Sequence, residues 1–258
     1  MKRKSVFVVL LGALLALLMI PSAFAADMAM VRVVHASPDA PAVDVWVNGS
    51  KTLTNVPFFT ASDYLSLPAG SYDIMVVPTG KTEPAVIDAK GVKIEAGKAY
   101  TVAAIGKLAD IKAAIYADNL SAPAAGKAHV RVIHASPDAP AVDIKVANGP
   151  TLIPALAFPK DSGYLPVDAG SYDLQVTPAG ASAVVLDLKG TKLEAGKIYD
   201  VFAVGELANI KVEVVVTTPA AAAPASLPRT AGGELPIGLG AVAAGLLVAG
   251  GMALRRRA

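Results

Sequence analysis

The chain has 258 residues, 54% of them hydrophobic and 17% charged, with a formal net charge of +2 and no cysteine. Without cysteine no disulfide can help, so any exported domain must stand on its core alone. Between Ala26 and Thr230 acidic side chains outnumber basic ones by three and no basic run occurs, which argues against nucleic acid as a partner.

In chain order, Lys2, Arg3 and Lys4 lead into the apolar run Val6–Ile20, Pro21 breaks it, and Ala23-Phe24-Ala25 supplies a small-x-small pattern. This predicts a secretory signal peptide over 1–25, cleaved after Ala25. No cysteine follows the cleavage point, so lipid attachment of the lipoprotein type is excluded.

A duplication comes next. VRVVHASPDAPAVDV (Val31–Val45) matches VRVIHASPDAPAVDI (Val130–Ile144). AGSYD at 69–73 recurs at 169–173, and EAGK at 95–98 recurs at 194–197. The repeat predicts two tandem domains, 27–117 and 127–216, joined by an aperiodic linker at 118–126. Val43, Val45 and Val47 alternate with Asp44 and Trp46 and end at the hairpin pair Asn48-Gly49. Strands are also predicted at Tyr72–Val77, stopped by Pro78, and at Tyr100–Ile105 and Ile111–Tyr116, joined through Gly106. Turn signals recur every 8–12 residues. The fold expected is all-β, two tandem immunoglobulin-like antiparallel β-sandwich domains. Tyr72 and Tyr172, each two residues after a turn glycine, are expected to tie back to nearby backbone as in a tyrosine corner.

HASPDAPAVD stands unchanged at 35–44 and 134–143. Residues two apart on a strand share a face, so Val31, Val33 and His35 lie together and Arg32 and Val34 point the other way. Ser-Pro-Asp-Ala-Pro is turn chemistry: proline presets φ, and serine and aspartate bond to backbone amides a few residues on. The preferred reading is a structural clasp built by His35, Ser37, Asp39 and Asp44, repeated by His134, Ser136, Asp138 and Asp143. Asp44 is expected to face outward, with Arg32 as a possible ion partner, and Asp143 with Arg131. A Ser–His nucleophile is disfavoured for want of a glycine-framed elbow and an oxyanion hole. Metal binding by His35 and Asp39, or His134 and Asp138, is a weaker alternative, since the carboxylates do not clearly converge. A loop-tip binding site is the third alternative; Trp46 cannot carry a shared one, because Lys145 replaces it. No catalytic residue, cofactor or resident metal is expected.

After the second repeat, TTPAAAAPASLP begins an Ala/Pro-rich stalk over 217–230. LPIGLGAVAAGLLVAGGMAL (235–254) is long enough at about 1.5 Å per residue to cross a bilayer. Arg255, Arg256 and Arg257 follow, which predicts a cytoplasmic tail at 255–258 and an external body.

The decapeptide, the NG hairpin, AGSYD and EAGK-x-Y together resemble the bacterial domain-of-unknown-function 4397 family, over about Met30–Tyr116 and Ala128–Val216. The resemblance implies an extracytoplasmic β-sandwich module of surface or secreted proteins, and it carries no catalytic residue. Leu227-Pro228-Arg229-Thr230-Ala231, the apolar helix and the arginine tail resemble a cell-wall sorting signal. That implies a sortase-type transpeptidase as partner, cleaving after Thr230; the usual fifth residue is glycine, and Ala231 stands there instead. The chain is thus expected to be a non-enzymatic structural, adhesion or binding protein of the cell surface. Its other partner would be an envelope polymer or surface protein. A solute- or metal-binding receptor is the alternative.

Overall fold

The computed structural model describes residues 28–219. The predicted signal peptide, the stalk beyond Pro219, the LPRTA segment and the predicted membrane helix lie outside them. Among the described residues no helix is long and apolar enough to cross a membrane.

The first repeat contains β1 (Met28–His35), β2 (Val43–Val47), β3 (Ser50–Val56), β4 (Thr60–Ala61), β5 (Leu65–Pro68), β6 (Gly70–Pro78), β7 (Ile87–Ile94), β8 (Ala99–Ile105) and β9 (Lys112–Asp118). The second contains β10 (Lys127–His134), β11 (Val142–Val146), β12 (Thr151–Leu156), β13 (Leu165–Asp168), β14 (Gly170–Pro178), β15 (Leu186–Leu193), β16 (Ile198–Val204) and β17 (Lys211–Thr217). Asn48 and Gly49 both take positive φ, 48° and 76°, the geometry that joins β2 to β3 without splaying the strands. Two boundaries differ from those expected: Asp118 ends β9 instead of opening the linker, and Thr217 ends β17 instead of opening the stalk.

Each repeat is two sheets face to face. In the first, β4 and β5 both flank β1, which continues to β8 and β9, while the opposing sheet runs β3-β2-β6-β7. The second repeats this as β13-β10-β16-β17 over β12-β11-β14-β15. Alternate residues of both sheets meet in the first core, with Val31 and Val102 facing Val45, Ile74 and Val76. The pairing is not wholly antiparallel as expected. β1 runs parallel to β8, with Arg32 opposite Thr101, and β10 parallel to β16, with Arg131 opposite Asp200. Parallel neighbours need a long crossover, and here the chain visits the other sheet in between.

β1 and β10 are covered on both faces, which explains why VRVVHA and VRVIHA read as almost unbroken apolar runs. The face opposite the sandwich core does not meet solvent. Val34, Ala36, Ala103, Ile105 and Tyr116 of the first repeat form one buried cluster with Ile133, Ala135, Phe202 and Val204 of the second. All described residues accordingly belong to one compact unit. Contacts across this seam are reciprocal: Lys112 lies 5.4 Å from the Phe158 ring, and its counterpart Lys211 lies 5.3 Å from Phe58. Such i-to-j and j-to-i exchange is the mark of a two-fold interface, here built within one chain.

Candidate functional site

The repeated decapeptide connects β1 to β2. His35 ends β1 and is 1% exposed. Its Nε2 lies 3.0 Å from the Pro41 carbonyl oxygen, which places the ring proton on Nε2, and Nδ1 accepts from the Ser37 amide at 3.4 Å. The Ser37 hydroxyl donates to the Gly106 carbonyl at 2.6 Å. Gly106 ends the β8 turn at φ +94°, where a Cβ would stand 2.9 Å from the Asp110 carbonyl oxygen, so only glycine fits. Asp39 accepts from the Leu108 amide at 2.7 Å and so holds the short 3-10 turn before β9.

The second copy repeats most of this. His134 Nε2 lies 3.0 Å from the Pro140 carbonyl, Asp138 accepts from the Leu207 amide at 2.8 Å, and Gly205 takes the place of Gly106. The Ser136 hydroxyl is buried without a hydrogen-bond partner among the described residues.

The expected Asp44–Arg32 and Asp143–Arg131 pairs do not form. Asp44 points away from the core, as strand alternation requires, yet it is covered: its side chain is 2% exposed beneath Lys51. It accepts from Lys51 Nζ at 2.7 Å, from the Asn55 amide at 2.9 Å and from the Gly80 amide at 3.3 Å. Asp143 accepts from the Ala155 amide at 2.8 Å and the Gly180 amide at 3.1 Å. Asn55 and Ala155 both carry positive φ at irregularities in the β2–β3 and β11–β12 ladders. Each carboxylate therefore pins a bulge whose amide would otherwise lose its ladder partner.

Tyr72 and Tyr172 donate to the carbonyls of Pro68 and Asp168, at 2.7 and 2.8 Å, four residues back. The expected tie to nearby backbone is present in both repeats.

Burial holds both imidazoles below their ordinary pKa, with the Pro41 and Pro140 carbonyls acting the other way. A histidine kept neutral by the fold binds its proton first in the unfolded chain. Its contribution is therefore full above about pH 6.5 and is lost as pH falls below it. The Lys51 ammonium and the Asn55 amide lower the Asp44 carboxyl from 3.8 to about 2, and the Ala155 and Gly180 amides lower that of Asp143. Those two contributions are lost only in more acid solution. The melting midpoint should thus drop already between pH 7 and pH 5, and the drop should shrink in His35→Ala/His134→Ala. The same slope in parent and variant would remove the histidines as its cause. At pH 7 the double variant should lose about 1–3 kcal/mol per repeat, equally with and without chelator.

Sequence reasoning missed the polar centre of the seam. Arg32 Nη2 donates to Asp200 at 2.6 Å and to Thr101 at 2.9 Å. Arg131 donates through Nε to Asp200 at 2.7 Å and through Nη2 to Asp118 at 2.6 Å. Tyr64 donates to Asp118 and Tyr164 to Asp200, at 2.7 and 2.8 Å, and each ring also lies under its own arginine. Burial first, then the adjacent carboxylate, pushes both phenols upward. Arg32, Arg131, Asp118 and Asp200 are each no more than 2% exposed, so two guanidiniums and two carboxylates balance out of water, with the half-buried Asp161 at 3.8 Å from Arg131 on the rim. Aspartate and threonine are exchanged between the repeats: Thr101 and Asp118 in the first correspond to Asp200 and Thr217 in the second. The available signal was an arginine at the same place in two otherwise apolar strands.

Among the described residues no group of three or more His, Cys, Asp or Glu is placed to hold a metal ion. His35, Ser37 and Asp39 of the first decapeptide, and His134 and Asp138 of the second, bond to backbone groups of their own repeat, and Asp138 also pairs with Lys107 across the seam at 3.5 Å.

A family model for the domain of unknown function DUF4397 matches residues 29–145 and 128–227. The chain belongs to the DUF4397 family. The two DUF4397 matches overlap across 128–145, where the second decapeptide lies. No curated protein matches the chain. Eleven chains of solved structures match. One is the Bacillus anthracis TIE protein, 10% identical, with 69% of this chain and 34% of that chain covered and a TM-score of 0.23. The chain therefore spans about a third of that protein's length.

Proposed function

We propose that this DUF4397 protein is a non-enzymatic adhesion or binding module displayed at the cell surface. Its two sandwiches, which we read as immunoglobulin-like, act as one head on the Ala/Pro stalk. The observation that carries this reading is the use made of HASPDAPAVD. In the first copy the Ser37 proton goes to the Gly106 carbonyl and not to His35, while His35 and Asp39 serve backbone groups. Side chains that could have been a nucleophile, base or ligand set hold turns instead. Two copies of such a clasp suit a repeated folding module better than a single active centre. The seam between repeats supports a head that presents its outer surfaces as a unit to an envelope polymer or another surface protein.

Anchoring is tested by expressing the full chain in a sortase-bearing Gram-positive host and sequencing the mature C-terminus by mass spectrometry. The expected product begins near Ala26, ends at Thr230 and is freed by wall digestion, and Thr230→Ala should leave it in the membrane fraction. Mature surface protein that keeps residues 231–258 would defeat the sorting reading and leave the apolar segment as the anchor.

A further inference from the structure

The two sandwiches close differently. In the first, the facing side chains form one continuous cluster, from Val31 on β1 to Ile87, Val92 and Ile94 on β7, and the space left among them is about 20 Å³. In the second, the same positions form two separate clusters, one around Val142, Ile144 and Val176 and one around Ala128, Leu193 and Tyr199. A cavity of about 290 Å³ lies between the sheets.

Side-chain size at the sheet edges accounts for the difference. In the first repeat Ala89 on β7 and Ala113 on β9 both pack against the core, and the two strands come into contact. The ladder positions that match them carry Leu188 on β15 and Val212 on β17. Those larger side chains line the cavity and hold the edges apart, since packed sheets separate by whatever their facing side chains require. Val214 on β17 both lines the cavity and is 48% exposed, so the space reaches solvent at this edge.

We propose that the second sandwich binds a linear hydrocarbon chain, such as the acyl chain of a fatty acid, inserted between β15 and β17. The volume is about twice the roughly 150 Å³ of an engineered apolar cavity that admits benzene, and close to the lower end of small-molecule pockets, about 300 Å³. Its walls are almost wholly aliphatic, from Leu174, Leu188, Leu193, Val212 and Val214 among others. Two polar side chains line it: the Thr191 hydroxyl donates to the Leu188 carbonyl at 3.2 Å, and His134 Nε2 serves Pro140, which leaves His134 Nδ1 as the one unpartnered polar atom of those two side chains. An apolar chain therefore fits the interior, and its polar end stays in solvent at the mouth. This site does not depend on how the protein is anchored, and its failure would leave the surface reading standing.

The test uses residues 28–219, whose strands all pair within the block and whose cores close within it. Decanoic acid below its aggregation concentration should raise the melting midpoint in a saturable way, by a few degrees. The triple variant Leu188→Ala/Thr191→Val/Val212→Ala restores the residues of the first repeat and should abolish that rise. Methyl NMR of the parent keeps the proposal testable if the variant does not fold. Leu188, Val212 and Val214 signals should then move with decanoic acid while Val31 and Val45 signals stay. No rise in the parent, the same rise in a folded variant, or shifts spread over both repeats would each overturn the proposal.

Discussion

Asp200→Leu is expected to lower stability by about 3–5 kcal/mol, which for a block of this size is a fall of roughly 6–20 °C in melting midpoint. Asp200 is fully buried and is the one carboxylate within 2.7 Å of both Arg32 and Arg131. Its loss leaves two guanidiniums against one buried carboxylate, Asp118, with only the half-buried Asp161 at 3.8 Å from Arg131 besides. The size of the effect measures the uncompensated charge and not the net worth of the ion pairs. A second variant separates the two. Arg32→Met/Arg131→Met/Asp118→Leu/Asp200→Leu removes the four buried charges, leaving the partly exposed Asp161 to solvent, and should melt close to the parent or above it. If Asp200→Leu melts within a degree of the parent, the seam is not closed in solution. If the quadruple variant is as unstable as the single one, packing at the seam, not charge, dominates.

The second large effect is expected at Phe202. It is fully buried and meets Phe59 of the other repeat at 5.4 Å between ring centroids. Phe202→Ala opens a cavity on the seam and should cost about 3–5 kcal/mol. Trp46 is the only tryptophan of the chain and lies on β2, in the first repeat, so its fluorescence reads one repeat while far-UV circular dichroism reads both. Because the cluster joins the repeats, the two midpoints should coincide in the parent and move down together in the variant. A Trp46 midpoint that stays in place while the dichroism shifts would mean that the repeats unfold independently.

Both effects depend on residues whose role was hidden in the sequence, and the reason is distance along the chain. Arg32 and Asp200 are 168 residues apart, and Phe59 and Phe202 lie on different repeats. Periodicity separates Val31 and Val33 from Arg32 and Val34 into two faces, but it cannot say what covers the second face. Strand alternation turns Arg32 away from the core and offers an outward-facing Asp44 as its ion partner. It lies instead inside a seam that the duplication itself creates.

Local chemistry is legible in the amino-acid sequence alone. It marks the two repeats, the all-β class, the Asn48-Gly49 hairpin, the turn at Ser37–Pro41 and the tyrosines that tie back to nearby backbone, because turns and side-chain alternation are written within a few neighbouring residues. Long-range packing sets the rest: β1 and β8 run parallel, Asp44 pins a bulge, the repeats share a buried ionic centre, and one sandwich is open where the other is closed. Each of those depends on which distant segments meet and how large their facing side chains are, and no local pattern encodes that.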